Sequence, residues 1–130
     1  MTHRAAHIDE LPFAERPYRP QDAVRHAASL TDVLDLEGSR ASLWRCPPGA
    51  RGRRHREGAQ EEVFAVLQGA LTIAVGDEPP EMVHVPAVGF VRISAGTPLQ
   101  IRNEGAEEAL VLIWGAPPVT GGGEFLDDLP

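Results

Sequence analysis

The chain has no lysine; all 12 of its basic residues are arginine, set against 19 acids. The net charge of −7 opposes binding to a polyanion, so no nucleic-acid partner is expected. Cysteine occurs once, at Cys46, which excludes an internal disulfide and suits a reducing compartment. No apolar run reaches the ~20 residues that a membrane-spanning helix needs, so no membrane partner is expected. The opening Met-Thr-His-Arg-Ala-Ala-His has no apolar stretch behind its charge and does not read as a secretory signal. A cytoplasmic location is therefore expected. A phosphate loop, a nucleotide-binding fingerprint and the spacing of a Ser-His-Asp triad are also missing.

What is present is one domain's length of chain, 130 residues, punctuated by glycine and proline. Residues 1–25 are rich in proline, arginine and acid, and read as an extended N-terminal arm, with a short helical turn expected near Asp22 to Ala28. From Ala41 the pattern becomes a series of short strands. They run Ala41–Cys46, Glu62–Leu67, Ala70–Val75, Met82–Val85, Phe90–Ile93, Pro98–Arg102 and Ala109–Trp114. Such spacing with little helical period predicts an all-β sandwich or barrel over residues 26–118. Residues 119–130, with three consecutive glycines and Asp127-Asp128, read as a flexible acidic tail. Val63–Leu67 and Leu110–Trp114 are apolar on both faces, so an outer face needs a cover, either the arm or a second subunit.

The stretch Gly49 to Gly69 carries the strongest chemical signal. Five residues separate Gly49 from His55; Glu57 lies two further on, then Glu62 and Gly69. This resembles the first signature of the cupin superfamily, G-x5-H-x-H-x3-4-E-x6-G. In that pattern two histidines and a glutamate hold a metal inside a small antiparallel barrel. Glu57 stands at the second histidine position. Downstream, Gly89, Gly96 and Asn103 fit the second signature, G-x5-P-x-G-x2-H-x3-N, with the first gap one residue short. Ser94 stands at its proline position and Leu99 at its histidine position. The resemblance covers residues 40 to 115. It implies a cupin double-stranded β-helix, a jelly-roll barrel, and it adds weight to a homodimer, because cupins commonly pair through sheet faces.

Residues two apart on a strand share a face, so His55 pairs in direction with Glu57, and Glu62 with Phe64 and Val66. A hairpin turn at Gly58-Ala59-Gln60 would bring His55 and Glu62 together. One imidazole and two carboxylates form a donor set suited to Mn²⁺, Fe²⁺, Ni²⁺ or Zn²⁺. The metal candidates are thus His55, Glu57 and Glu62, and the pocket candidates are Phe64, Val66, Leu99 and Ile101. Three functions stay open. One is binding of a small-molecule ligand in the barrel. Another is a metal-dependent enzyme of oxygenase or isomerase type. The last is a structural or regulatory dimer whose cavity its own side chains fill. Four arginines between Arg51 and Arg56 are either a solvated turn offset by Glu57, Glu61 and Glu62, or a rim that attracts a carboxylate or phosphate. His84 reads as a surface or internally satisfied histidine. Cys46 reads as a small hydrophobe and Trp44 and Trp114 as core or, less favoured, pocket walls, while Arg92 and Arg102 are expected to face solvent. His3, His7 and His26 carry no spacing signal.

Overall fold

The computed structural model describes residues 2–119 and 123–129. A 3₁₀ turn, Ile8–Glu10, precedes eleven strands and one short helix. In chain order these are β1 (Ala14–Arg16), β2 (Arg25–Ser29), α1 (Leu30–Leu34), β3 (Arg40–Cys46), β4 (His55–Arg56), β5 (Glu61–Gln68) and β6 (Ala70–Val75). They continue as β7 (Glu81–Pro86), β8 (Gly89–Ile93), β9 (Leu99–Arg102), β10 (Ala109–Ala116) and β11 (Glu124–Phe125). One sheet has the order β1-β2-β3-β10-β5-β8, the other β11-β4-β9-β6-β7, and every strand pair is antiparallel. The seven strands read from alternation recur within two residues at each end. The jelly-roll expectation is met. No helix among the described residues is long and apolar enough to cross a membrane.

The core lies between the two sheets. Phe64, Val66 and Val111 from the first meet Leu71, Ile73 and Leu99 from the second, all essentially without solvent contact. Each such side chain contributes about 2 kcal/mol relative to exposure. Gly69 is the single residue between β5 and β6, where the chain passes from one sheet to the other. Its φ of +72° favours glycine, and an added Cβ would strike the Glu108 carbonyl oxygen. The last glycine of the first signature is therefore a corner residue. Asn103, at the end of the second, is equally structural: its buried amide donates to the carbonyls of Cys46 (2.7 Å) and Glu107 (2.8 Å). Cys46 packs in the core as expected, and burial pushes its thiol up to about 11.

Several expectations change in three dimensions. The segment near Asp22 to Ala28 is not helical; it supplies β2, which pairs with β3 through His26↔Arg45 to Ser29↔Ser42. The ladder offers its backbone groups partners that one isolated helical turn lacks. The helix comes later, at Leu30–Leu34, where the Ser29 side chain accepts from the Asp32 amide. The arm adds β1 to the edge of the sheet. At the other end, a flexible tail is expected over 119–130. Residues 120–122 and 130 lie outside the described residues, but β11 pairs with β4, and Asp128 accepts from the buried Gln100 amide at 2.7 Å. A local reading of that stretch misses partners more than twenty residues away.

Trp44 packs against the core and forms part of a cavity wall, whereas Trp114 points outward and is 54% exposed. Arg92 is exposed as expected, whereas Arg102 is half-buried and donates to Gln100 Oε1 at 3.0 Å. His84 is exposed and bonds Thr72 Oγ1 at 2.7 Å, which satisfies it locally.

Candidate metal centre

A cavity of about 670 Å³ opens between the sheets at one end of the barrel. Phe64, Leu99 and Ile101 line it, as do His55, Glu57 and Glu62. Val66 does not; it is fully buried, one step deeper on the inward face of β5, where it is paired with Val111. The interior is thus not filled by its own side chains.

His55 begins β4, Glu57 follows that strand, and Glu62 is the second residue of β5. β4 and β5 belong to different sheets, so the turn at 58–60 is a crossing between layers and not a hairpin. The crossing places His55 and Glu62 face to face across the cavity mouth. Gln60 anchors it: buried, it donates to the Pro117 carbonyl at 3.1 Å and packs on Gly115, where an added Cβ would meet its side chain.

One ligand-type atom from each of His55, Glu57 and Glu62 lies within 4.8 Å of the others. His55 Nδ1 is 3.0 Å from the Arg53 carbonyl oxygen. A carbonyl only accepts, so Nδ1 carries the proton and Nε2 turns toward Glu57 Oε1, 3.5 Å away. In the neutral ring that nitrogen offers a lone pair. Glu62 is 8% exposed, and its buried Oε1 has no hydrogen-bond partner. Burial first, and the neighbouring Glu57 charge second, push its carboxyl up to about 7; Arg40 opposes this. An orphaned carboxylate oxygen beside a second carboxylate and a free imidazole lone pair is a donor set that a divalent cation completes. The residues present therefore fit a metal. Leu99 sits directly across the β4–β9 ladder from His55 and is 1% exposed, so that wall of the site is apolar.

The alignment to the family described as Cupin domain spans residues 42–115, more than half of the 130-residue chain. The chain belongs to the cupin superfamily. Among solved cupin-fold structures, it resembles a sugar phosphate isomerase from a cupin superfamily of Silicibacter pomeroyi, with TM-score 0.77 and 20% identity over 95% of this chain and 82% of that one. An uncharacterized conserved protein with a double-stranded β-helix domain from Klebsiella pneumoniae gives TM-score 0.74 and 19% identity over 96% and 98% of the two chains. A predicted oxalate decarboxylase of Thermotoga maritima gives 0.73 and 16% over 85% and 96%. At these identities the likeness establishes the cupin fold alone. No curated protein matches.

The arginine cluster of this cupin has a third role that neither sequence reading anticipated. The C-terminal segment takes up most of it. Arg51 bonds Asp128, Arg54 bonds the Asp127 carbonyl, and Arg56 grips both Glu124 carboxylate oxygens. Only Arg53 of the cluster lines the cavity, its guanidinium 4.0 Å from the Phe125 ring. The cavity's other arginines, Arg16, Arg25 and Arg40, were missed. They come from the arm and the first strands as isolated residues, and nothing in their spacing marks them.

Proposed function

We propose that this cupin binds a small molecule in its barrel cavity at a divalent metal held by His55, Glu57 and Glu62. One observation carries the reading: the buried Glu62 carboxylate has an unpartnered oxygen and offers a ligand atom within 4.8 Å of those of His55 and Glu57, in a cavity with room for a ligand. Cavities of several hundred Å³ commonly hold small ligands. A metal bound there supplies a Lewis acid with coordination positions open to the ligand. The protein's own groups do the rest. The Arg53 carbonyl holds the His55 ring in the tautomer that presents Nε2. Phe64, Leu99 and Ile101 keep the inner wall dry. Metal-dependent chemistry of isomerase or oxygenase type is consistent with this donor set, and the similar Silicibacter structure bears the name of an isomerase.

Titration calorimetry with Mn²⁺, Ni²⁺ and Zn²⁺ tests the reading. One ion per chain is expected, with affinity falling on acidification as Glu62 takes up its proton. A protein that binds none of the three ions at pH 8 would overturn the metal reading and leave a metal-free ligand pocket.

The functional unit proposed is the barrel of residues 26–118 paired as a homodimer, with 1–25 as an arm and 119–130 as a tail. Leu67, Phe90 and Trp114 are 40%, 67% and 54% exposed on the outer face of the larger sheet. The arm reaches only part of that face, where Phe13 meets the Arg45 guanidinium. Light scattering at micromolar concentration is expected to give the dimer mass, and Trp114→Glu the monomer mass. A parent protein that runs as a monomer would count against the pairing.

A further inference from the structure

Ten of the 12 arginines fall into two groups; the other two, Arg54 and Arg102, donate to the Asp127 carbonyl and to Gln100 Oε1. Arg4, Arg19, Arg45, Arg51, Arg56 and Arg92 form ion pairs with carboxylates, and none of them lines the cavity. Arg16, Arg25, Arg40 and Arg53 do line it, and among the described residues none of these four has an ion-pair partner. On a protein with a net charge of −7, four of the six arginines that lack an ion-pair partner among the described residues line one cavity.

Arg25 is the most constrained of the four. Its guanidinium lies 4.7 Å from the centre of the Trp44 ring. On another side it lies against Gly52, where an added Cβ would stand 3.0 Å from Nη1. Its Nε is buried and has no hydrogen-bond partner. Desolvation, with a smaller contribution from Arg16, lowers its pKa from the usual arginine value. Arg16 faces it directly across the β1–β2 ladder. Like charges opposite one another on a ladder destabilise it, and a buried guanidinium nitrogen without an acceptor is costly. Among the described residues, the side chain of Arg16 reaches only the neighbouring Glu15 carbonyl. An anion between them would supply the missing acceptors, and the planar fork of arginine matches the oxygen spacing of a carboxylate or phosphate.

We infer that the cavity takes a ligand bearing a carboxylate or phosphate group, with Arg25 as its anchor and Arg16 as the second arm. Carboxylate and phosphate share the oxyanion chemistry that the two forks read. The identity of the ligand class rests on the proposed small-molecule site, but the anchor itself needs no metal.

The test uses the full chain in EDTA, titrated separately with inorganic phosphate, malonate and, as a neutral control, glucose. Phosphate or malonate is expected to bind, and glucose is not. Arg25→Met is expected to weaken that binding by about tenfold or more, the scale of one lost charge-assisted pair. The same variant should melt no lower than the parent, because it removes an unpaired buried charge. Arg25→Lys keeps the charge and the aliphatic stem but not the fork. It should also bind more weakly than the parent, and it serves if the Met variant does not fold. EDTA keeps any divalent ion out of the site, which separates this proposal from the metal reading. Failure of the parent to bind either oxyanion, or equal affinity in parent and Arg25 variants, would overturn the proposal whether or not a metal binds.

Discussion

Glu62→Gln is expected to make the metal-free protein more stable above pH 7, by about 3 kcal/mol, and to abolish metal binding. The carboxyl of Glu62 is pushed from 4.5 to about 7, by burial first and by the charge of Glu57 second. Its folded-state pKa is raised, so between these values the native state binds more protons than the unfolded chain. Stability of the parent therefore falls as pH rises from 4.5 through 7, and then levels off. Roughly 1.4 kcal/mol for each tenfold in proton affinity gives the stated magnitude. Glutamine keeps the shape and removes the charge, so the difference between variant and parent isolates this one group. Denaturant unfolding in EDTA at pH 4, 6 and 8 is expected to give curves that coincide at the acid end and separate toward pH 8. A saturating divalent ion should then restore the parent at pH 8 and leave the variant unchanged. Parallel pH profiles for the two proteins would mean that Glu62 is not held uncharged by its surroundings.

Leu99→His is expected to raise affinity for Zn²⁺ or Ni²⁺ by about tenfold or more, at a cost to the metal-free fold. The ladder pairs position 99 directly with His55, so an imidazole there shares the face on which the three candidate ligands converge. A fourth protein donor completes the tetrahedral set of a closed zinc site. Leu99 is 1% exposed, and replacing it with a polar ring in the same wall should cost about 1–3 kcal/mol without metal. Zinc should reverse that loss, because binding to the native state alone adds stability by mass action. Thermal melts of both proteins with and without Zn²⁺ read this as a larger zinc-induced rise in the variant than in the parent. An equal rise would place position 99 away from the metal.

The two signatures were legible because their residues act over short distances. Gly49 and Gly69 both have positive φ, Gly69 at a corner between sheets, and Asn103 ties its loop to neighbouring carbonyls. These requirements are local, so they leave fixed spacings in the chain. The strands from Ala41 to Trp114 were legible for the same reason: alternation is a property of one strand and its two faces. The apolar outer face of β5 and β10 was also visible, since no polar residue interrupts either run.

The arm and the tail were not legible. The partners of Arg16, Arg25 and Asp128 are separated from them by long stretches of chain or sit across a ladder whose register no local pattern encodes. Parity alone could say that His55 shares a direction with Glu57. It could not say that β4 and β5 would enter different sheets, which is what turns Glu62 to face His55 across a cavity. Nor could it show that Glu62 loses its hydrogen-bond partners, because burial of a charge depends on every element packed around it. The sequence by itself determined a cupin barrel and the identity of three candidate ligands. Only the tertiary structure decided that the cavity is open, that its carboxylate is unsatisfied and that its arginines are unpaired. Those are properties of space left between sheets, and that space exists only once the sheets have closed on one another.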